Sequence, residues 1–185
     1  MPQIVVGDWH VTVHDGRLPA SYEWYAEHAL LNEAFDLKAR EGRPFFVAVS
    51  TFRPAAREHR KPLLAVAQSV WPDYESGFDP GVLIVPETSL LFVGAGERLL
   101  AYDLQKPARL WEDRADCGFQ AWGRFGDFVW MAAEIEFAVW RLDGTKLWTT
   151  FVDPPCDLSF ADGLVTLSDF RGKRTLRMAD GTAAT

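Results

Sequence analysis

The chain has 185 residues and a formal net charge of −7, and its isoelectric point lies near 5.1. A hydrophobic content of 48% is enough to build the core of one domain of ordinary size. Phosphate binding requires a local surplus of Lys and Arg, so this acidic balance argues against a nucleic-acid or anionic-membrane partner. The composition favours a soluble protein, including one that meets a basic partner.

No apolar run approaches the roughly 20 residues that span a bilayer. Residues 1–8 carry neither a basic segment nor a long apolar one, so no signal peptide is expected. We therefore expect a cytoplasmic location, in which Cys117 and Cys156 remain reduced thiols. These two cysteines lack a CxxC spacing and only four histidines accompany them, so neither a zinc site nor a cofactor is expected.

The first 80 residues are predicted to combine strands with one helix. Gln3–Val6 and Trp9–His14 are predicted strands around Gly7 and Asp8. Ser21–Arg40 is predicted to be an amphipathic helix that lies on a sheet, because Trp24, Leu31 and Phe35 recur at helical spacing. Ser21 can act as its N-cap, and Gly42 and Pro44 follow its end.

Two apolar runs of strand length follow, Pro44–Thr51 and Leu63–Val70. Each is followed by a segment that could bind a partner. The first segment holds the only basic cluster, for which a solvated loop is the alternative interpretation. The second is a Pro-rich aromatic loop that could instead pack over the core. The candidate partner-binding residues are Arg53, Arg57, His59, Arg60, Trp71, Asp73 and Tyr74.

From Gly81 onward, short strands alternate with turn residues, which is the pattern of an all-β region. The aromatic content, with 8 Trp and 13 Phe, also favours pleated surfaces. The predicted strands are Val82–Val85, Leu90–Gly94, Arg98–Leu104, Arg109–Trp111, Phe119–Trp122, Phe128–Ala132, Phe137–Leu142, Lys146–Val152, Leu158–Phe160, Leu164–Ser168 and Arg174–Met178.

This region repeats itself after about 37 residues, and internal repeats of this length indicate a stack of similar units. One constant shift superposes residues 90–93 on 127–130 and on 164–167. The same shift places Ala101 on Ala138 and Trp111 on Trp148. We therefore predict three β-meander units within residues 81–185.

Ala101, Asp103 and Trp111 stand at the spacing A-x-D followed by W, and the second unit keeps Ala138, Gly144 and Trp148. This pattern resembles the tryptophan-docking motif, A-x-D-x-x-T-G-x-x-x-W, of quinoprotein-type (PQQ-like) β-propeller blades. The resemblance implies that each Trp packs across a neighbouring sheet, after a turn in which Gly permits a positive φ. No positions here match the quinone or metal residues of that family.

Three units cannot close a propeller, which typically has 4–8 blades. Either the N-terminal strands supply a further sheet, or the helix covers an open stack, or subunits complete one another. The expected fold is mainly β, with successive antiparallel meanders in a blade-like open or partial ring and one N-terminal amphipathic helix. Residues 1–80 and 81–185 are expected to form one compact domain.

Two constellations could carry chemistry. His10 and His14 point the same way along a strand but about 13 Å apart, too far to share a metal ion. Glu134 and Glu136 flank a hairpin turn and could act as a general acid–base pair, although solvated turn carboxylates are the more ordinary interpretation. No G-x-S-x-G nucleophile motif and no glycine-rich phosphate loop occurs.

The sequence therefore favours a non-catalytic, cytoplasmic protein-binding protein, and an acidic immunity-like or inhibitor-like protein is one version of it. A basic protein partner fits the charge, and self-association stays open. The competing hypothesis is a small-molecule-binding protein or hydrolytic enzyme that uses acidic loop residues. A pocket with convergent carboxylates or histidines would favour that second class.

Overall fold

The structure is a computed structural model that describes residues 3–37, 42–51, 62–70 and 78–184. Sixteen strands and one helix occupy these ranges. The elements are β1 (Gln3–Val6), β2 (Trp9–Asp15), α1 (Tyr22–His28), β3 (Leu31–Phe35), β4 (Arg43–Thr51), β5 (Pro62–Val70), β6 (Gly81–Val85), β7 (Leu90–Ala95), β8 (Arg98–Asp103), β9 (Ala108–Arg114), β10 (Phe119–Phe125), β11 (Phe128–Ala133), β12 (Glu136–Arg141), β13 (Lys146–Phe151), β14 (Asp157–Ala161), β15 (Leu164–Asp169) and β16 (Gly172–Arg177). The prediction of a mainly β fold made of successive antiparallel meanders is confirmed.

The predicted helix over Ser21–Arg40 is wrong in its second half. α1 ends at His28, and Ala29 already has an extended backbone, with φ −65° and ψ 143°. Leu31–Phe35 is instead a strand that pairs in parallel with β5. Leu31 and Phe35 pack on the core from this strand, since residues four apart share one side of a strand as well as of a helix. No helix of the described ranges is long and apolar enough to cross a membrane.

Sheet 1 has five strands in the order β1-β2-β4-β5-β3. Its central strands β4 and β5 are buried on both faces, which explains why both are nearly continuous apolar runs. One face contacts the next sheet through residues such as Val47 and Val66. On the other face, Phe46 and Ala65 are covered by the segment that contains α1.

The remaining strands form three meanders in chain order. Sheet 2 runs β6-β7-β8-β9, sheet 3 runs β10-β11-β12-β13, and sheet 4 runs β14-β15-β16. All their strand pairs are antiparallel. Sheets 2 and 3 are blade-like, because propellers are built from such four-stranded sheets, and sheet 4 is a similar meander of three strands.

Successive sheets pack face to face, and each pair of sheets shares a hydrophobic core. Leu91 and Tyr102 of sheet 2 pack on sheet 1. Phe92 of sheet 2 and Met131 of sheet 3 share the second core. Phe137 of sheet 3 and Val165 of sheet 4 share the third. The N-terminal strands thus supply a further sheet, and the α1 segment covers its outer face. A further N-terminal sheet and a stack covered by the helix, given above as alternatives, therefore occur together.

The outer face of sheet 4 is polar. Val165 and Leu167 point towards sheet 3, so Thr166 between them points away from it. The register places Ser159, Thr166 and Thr175 side by side on that outer face. The Thr166 and Thr175 hydroxyl oxygens are 2.9 Å apart and share a hydrogen bond. A hydroxyl-lined face of this kind suits solvent, as in the terminal units of other stacked repeats.

The repeat is real, but its predicted register is off by one residue in the second unit. Phe92 pairs with Ala101, and the equivalent pairs are Trp130 with Val139 and Thr166 with Thr175. Ala101 therefore corresponds to Val139 rather than to Ala138. A one-residue slip along a strand exchanges the two faces of the sheet, and Ala138 indeed faces sheet 2 whereas Val139 faces sheet 4.

Two tryptophans, one in sheet 2 and one in sheet 3, each form a hydrogen bond with the turn region of the following sheet. The Trp111 indole N–H donates a 2.8 Å hydrogen bond to the Gly144 carbonyl oxygen, and the Trp148 indole N–H donates one of the same length to the Met178 carbonyl oxygen. Gly181 has φ +71°, and a Cβ added there would lie 2.8 Å from Trp148 Cδ2. The turn therefore requires glycine both for its conformation and for the approach of the indole.

The contact between Trp148 and sheet 4 is expected to be a main support of that sheet. We predict that Trp148→Ala lowers the free energy of unfolding by about 3 kcal/mol, measured by urea denaturation. Trp148→Phe should cost only about 1 kcal/mol, because the ring packing stays and one hydrogen bond is lost. Equal losses in the two variants would contradict the role of the ring.

The polar outer face of sheet 4 gives a second prediction. Thr166→Lys should change the free energy of unfolding by less than about 1 kcal/mol, because the side chain extends into solvent. Val165→Lys, one residue away on the opposite face, should cost more than about 3 kcal/mol because it buries an unpaired charge. A severe loss in Thr166→Lys would mean that another surface covers this face.

Candidate functional site

A cleft of about 830 Å³ opens between sheets 1 and 2, at the side of the stack where their strands end in turns. It lies where β5 ends at Val70, where Ala95–Glu97 turns β7 into β8, and where the connection from β9 to β10 holds Cys117. Turns at the same end of sheet 3 bring Glu134 to its wall. The cleft is thus built from strand ends and turns of three consecutive sheets, positioned by the cores between them.

Charged side chains line the cleft, and carboxylates outnumber cations among the described lining residues. The carboxylates are Asp36, Glu97, Glu112 and Glu134, and the guanidinium groups belong to Arg98 and Arg114. Arg114 pairs with Glu97. The cleft therefore carries a net negative charge, in line with the charge of the whole chain.

Arg98 is held in place on several sides. Its Nη1 lies 3.1 Å from Asp36 Oδ2, and its Nε lies 3.0 Å from Glu112 Oε1. Its guanidinium also sits over the Phe35 ring, 4.4 Å from the ring centroid. Asp36 and Glu112 carry two negative charges and share the single positive charge of Arg98, so Arg98 neutralises only one of them.

The network continues from the cleft into the interface between sheets 1 and 2. Tyr102 Oη donates a 2.7 Å hydrogen bond to Glu33 Oε2, and Arg109 lies between Glu33 and Glu112. Burial raises the pKa of the Tyr102 phenol far above its usual range, and the hydrogen bond to Glu33 and the Glu33 charge raise it further. Tyr102 is thus kept neutral, and it connects edge strand β3 to sheet 2.

Gln68 forms part of the base of the cleft and is only 1% exposed. It extends from β5 on the face that carries Leu64 and Val66, towards sheet 2. Its Nε2 donates a 2.8 Å hydrogen bond to the Ala95 carbonyl oxygen. Its Oε1 is buried and has no hydrogen-bond partner among the described residues.

A smaller cavity of about 170 Å³ lies between sheets 3 and 4, and Glu134 lines it as well as the cleft. Cys156 also lines it, and burial, followed by the nearby Asp169 charge, raises the pKa of this thiol. The Glu136 carboxylate accepts hydrogen bonds from the Asp116 N–H at 3.0 Å and the Thr149 hydroxyl at 2.6 Å. Glu134 has no such partner within the described ranges. The two glutamates that the sequence suggested as an acid–base pair therefore have different surroundings.

The predicted partner-binding residues Arg53, Arg57, His59, Arg60, Trp71, Asp73 and Tyr74 lie outside the described residues. The flanking strands show only where these segments leave and rejoin the described chain. Thr51 and Pro62 lie at one end of sheet 1, and Val70 lies at the other, which is the cleft end.

None of the histidines in the described ranges lines the cleft. His14 faces Phe46, with ring centroids 6.0 Å apart, and burial lowers the pKa of its imidazole. Within the described ranges, no group of three or more His, Cys, Asp and Glu side chains could hold a metal ion.

Sequence reasoning missed Gln68, Arg98 and Asp36. Gln68 was recognisable as the one amide in an apolar strand, at a position whose period-two neighbours face the core. Asp36 falls within the segment that the sequence predicts as a helix, so it was not expected near sheet 2. Arg98 gave no signal in the sequence, because its partners Asp36 and Glu112 are distant along the chain.

No protein-family model matches the chain, and no curated protein matches its sequence. Among solved structures, BamB from Moraxella catarrhalis matches over 77% of this chain and 48% of its own, with 13% identity and a TM-score of 0.48. Hsv2 from Kluyveromyces lactis matches over 83% and 47%, with 13% identity and a TM-score of 0.45. The chain thus spans about half the length of these two proteins. Likenesses at this level assign no family and carry no argument about function.

The Tyr102 phenol gives a pH-dependent prediction. Its folded pKa lies above the unfolded value of about 10, so its stabilising contribution is complete below pH 10 and is lost as the pH rises beyond it. We expect the thermal midpoint of the wild-type protein to fall between pH 9 and pH 11 by several degrees more than that of Tyr102→Phe. Parallel profiles would show that the phenol ionises equally well in the folded protein.

Proposed function

We propose that this protein is a non-catalytic binding module whose cleft accepts a positively charged segment of a partner protein. The observation that carries the proposal is the set of four carboxylates against two guanidinium groups in the described lining. One of these carboxylates, Glu134, has no ion-pair or hydrogen-bond partner in the described part of the chain. A cationic side chain can bind there without displacing any Lys or Arg of the described ranges.

Charge supports the same proposal at longer range. A net charge of −7 attracts a cationic segment before contact, and complementary charge mainly raises the association rate and excludes wrong partners. The same charge disfavours nucleic acids and anionic membranes. Both cysteines are free thiols, in keeping with binding in the cytoplasm.

The shape of the cleft also fits a chain segment. Turns from several sheets form its rim, and rigid sheets hold these turns in place, as in other folds that bind through loops. Its volume could hold several side chains. The charged rim around the half-buried Phe78 has the polar character of a protein–protein interface margin.

A hydrolytic enzyme using acidic loop residues is supported less well. Acid–base hydrolysis of a glycoside needs two carboxylates that face one substrate. Glu136 is instead engaged by a backbone N–H and a hydroxyl, and Asp36 and Glu112 share Arg98. Their hydrogen bonds and ion pairs hold these carboxylates in structural roles.

We further infer that sheets 2 and 3 are blades of the tryptophan-docking type. The indole hydrogen bonds from Trp111 and Trp148 to the next sheet support this inference. The aligned alanines do not, because Ala101 and Ala138 face opposite directions along the stack. The inference therefore rests on the tryptophans and the glycine turns.

Synthetic peptides can test the proposed binding. We expect decapeptides that alternate Gly with Lys or Arg to bind the full-length protein in fluorescence anisotropy, more weakly as salt increases, whereas peptides that alternate Gly with Glu should not bind. Glu97→Gln with Glu134→Gln should weaken binding about tenfold, because two carboxylates leave the cleft.

The matched control, Asp127→Asn with Asp162→Asn, removes two carboxylates from turns of sheets 3 and 4. These turns lie at the strand ends that face away from the cleft. This variant has the same net charge and should retain wild-type affinity. Equal weakening in both variants would mean that overall charge, and not the cleft, binds the peptide. Failure of every basic peptide to bind the wild-type protein would refute the proposal.

A further inference from the structure

The base of the cleft contains a hydrogen-bond acceptor, Gln68 Oε1, that has no partner in the described part of the chain. Gln68 occupies a position in β5 where the flanking residues of the same face, Val66 and Val70, are apolar core residues. The Gln68 side chain satisfies the Ala95 carbonyl oxygen through Nε2, but it leaves Oε1 without a hydrogen bond among the described residues. Buried polar side chains normally have partners, so an unpaired one requires an explanation.

The orientation of the Gln68 amide is fixed. Nε2 donates to the Ala95 carbonyl oxygen at 2.8 Å, which places Oε1 as the remaining, unpaired acceptor. In the opposite orientation Gln68 Oε1 would face the Ala95 carbonyl oxygen, and two hydrogen-bond acceptors would repel each other. The unpaired acceptor is therefore a consequence of the packing between sheets 1 and 2.

We propose that Gln68 recognises an arginine guanidinium of the partner segment. This proposal rests on the proposed function and adds the chemistry of the contact. A guanidinium carries five N–H donors in a rigid plane, so one group has enough donors for a neutral acceptor such as Gln68 Oε1 and for a carboxylate of the same cleft. A lysine ammonium is a compact, strongly hydrated point charge, so it is less suited to bind a neutral amide oxygen and a carboxylate at the same time.

Neighbouring atoms cover Oε1, which is fully buried. A guanidinium therefore reaches it only after side chains at the cleft wall change rotamer. Such changes are common when interfaces form, even where the backbone stays in place. Glu97 and Arg114 form an ion pair in the cleft lining, and both side chains are exposed, so water can replace this contact when they move.

The decisive measurement compares arginine with lysine. Decapeptides that alternate Gly with Arg should bind the wild-type protein about tenfold more tightly than those that alternate Gly with Lys. Gln68→Met keeps the length of the side chain but removes the Oε1 acceptor, together with the Nε2 donor to Ala95, so it should lower arginine-peptide affinity more than lysine-peptide affinity and abolish this preference. Glu134→Gln is the matched comparison and should weaken both peptides.

A second measurement needs no variant. Asymmetric dimethylation of arginine keeps the charge but blocks its paired N–H donors, so the dimethylated peptide should bind the wild-type protein about as weakly as the lysine peptide. The proposal is overturned if arginine and lysine peptides bind equally, if the dimethylated peptide binds like arginine, or if Gln68→Met keeps the preference.

The two proposals fail in distinguishable ways. Equal binding of arginine and lysine peptides, lost in the Glu97→Gln and Glu134→Gln variant, would overturn the role of Gln68 and leave the binding function intact. Absence of binding by any basic peptide would overturn both. Loss of both affinities in Gln68→Met, together with a lowered thermal midpoint, would show that Gln68 has a structural role and would overturn its role in recognition.

Discussion

The structure depends on the packing of each sheet against the next, since no single sheet can bury both of its apolar faces alone. Tryptophan makes this packing specific. Trp111 and Trp148 each place a large ring at the interface and donate an N–H to a carbonyl oxygen of the following sheet. Gly144 and Gly181 lie against these rings, where a Cβ would lie 3.3 Å or less from the indole. Sheets 2 to 4 are thus linked one after another, as in a one-dimensional repeat stack.

The same packing creates the cleft. Sheets 1 and 2 share a continuous core through most of their length, but at one end the side chains on the facing strands become polar. Gln68 lies between the apolar core residues Val66 and Val70 on one face of β5, and Arg98 begins β8. Tyr102 belongs to this core, and its hydrogen bond to Glu33 connects the two sheets. The rigid core therefore holds the charged groups of the cleft at fixed separations.

Strand positions and the repeat could be predicted from the sequence, because period-two alternation and glycine turns are local signals. The helix was extended too far because Leu31 and Phe35 are four residues apart, a spacing that suits both periods. The repeat slipped by one residue in the second unit because Ala101 and Ala138 are identical but face opposite ways. The cleft could not be predicted, since Asp36, Arg98 and Glu112 meet only after sheets 1 and 2 pack.

The two ends of the stack solve one physical problem in different ways. An outermost sheet must either cover its outer face or make that face polar, because a large exposed apolar face leads to association. Sheet 1 keeps an apolar outer face, with Phe46 and Ala65, and covers it with the α1 segment. In sheet 4, the position equivalent to Phe92 and Trp130 holds Thr166, and the position equivalent to Ala101 and Val139 holds Thr175. Sheet 4 thus keeps the backbone pairing of the repeat and carries hydroxyl side chains at these two positions of its outer face.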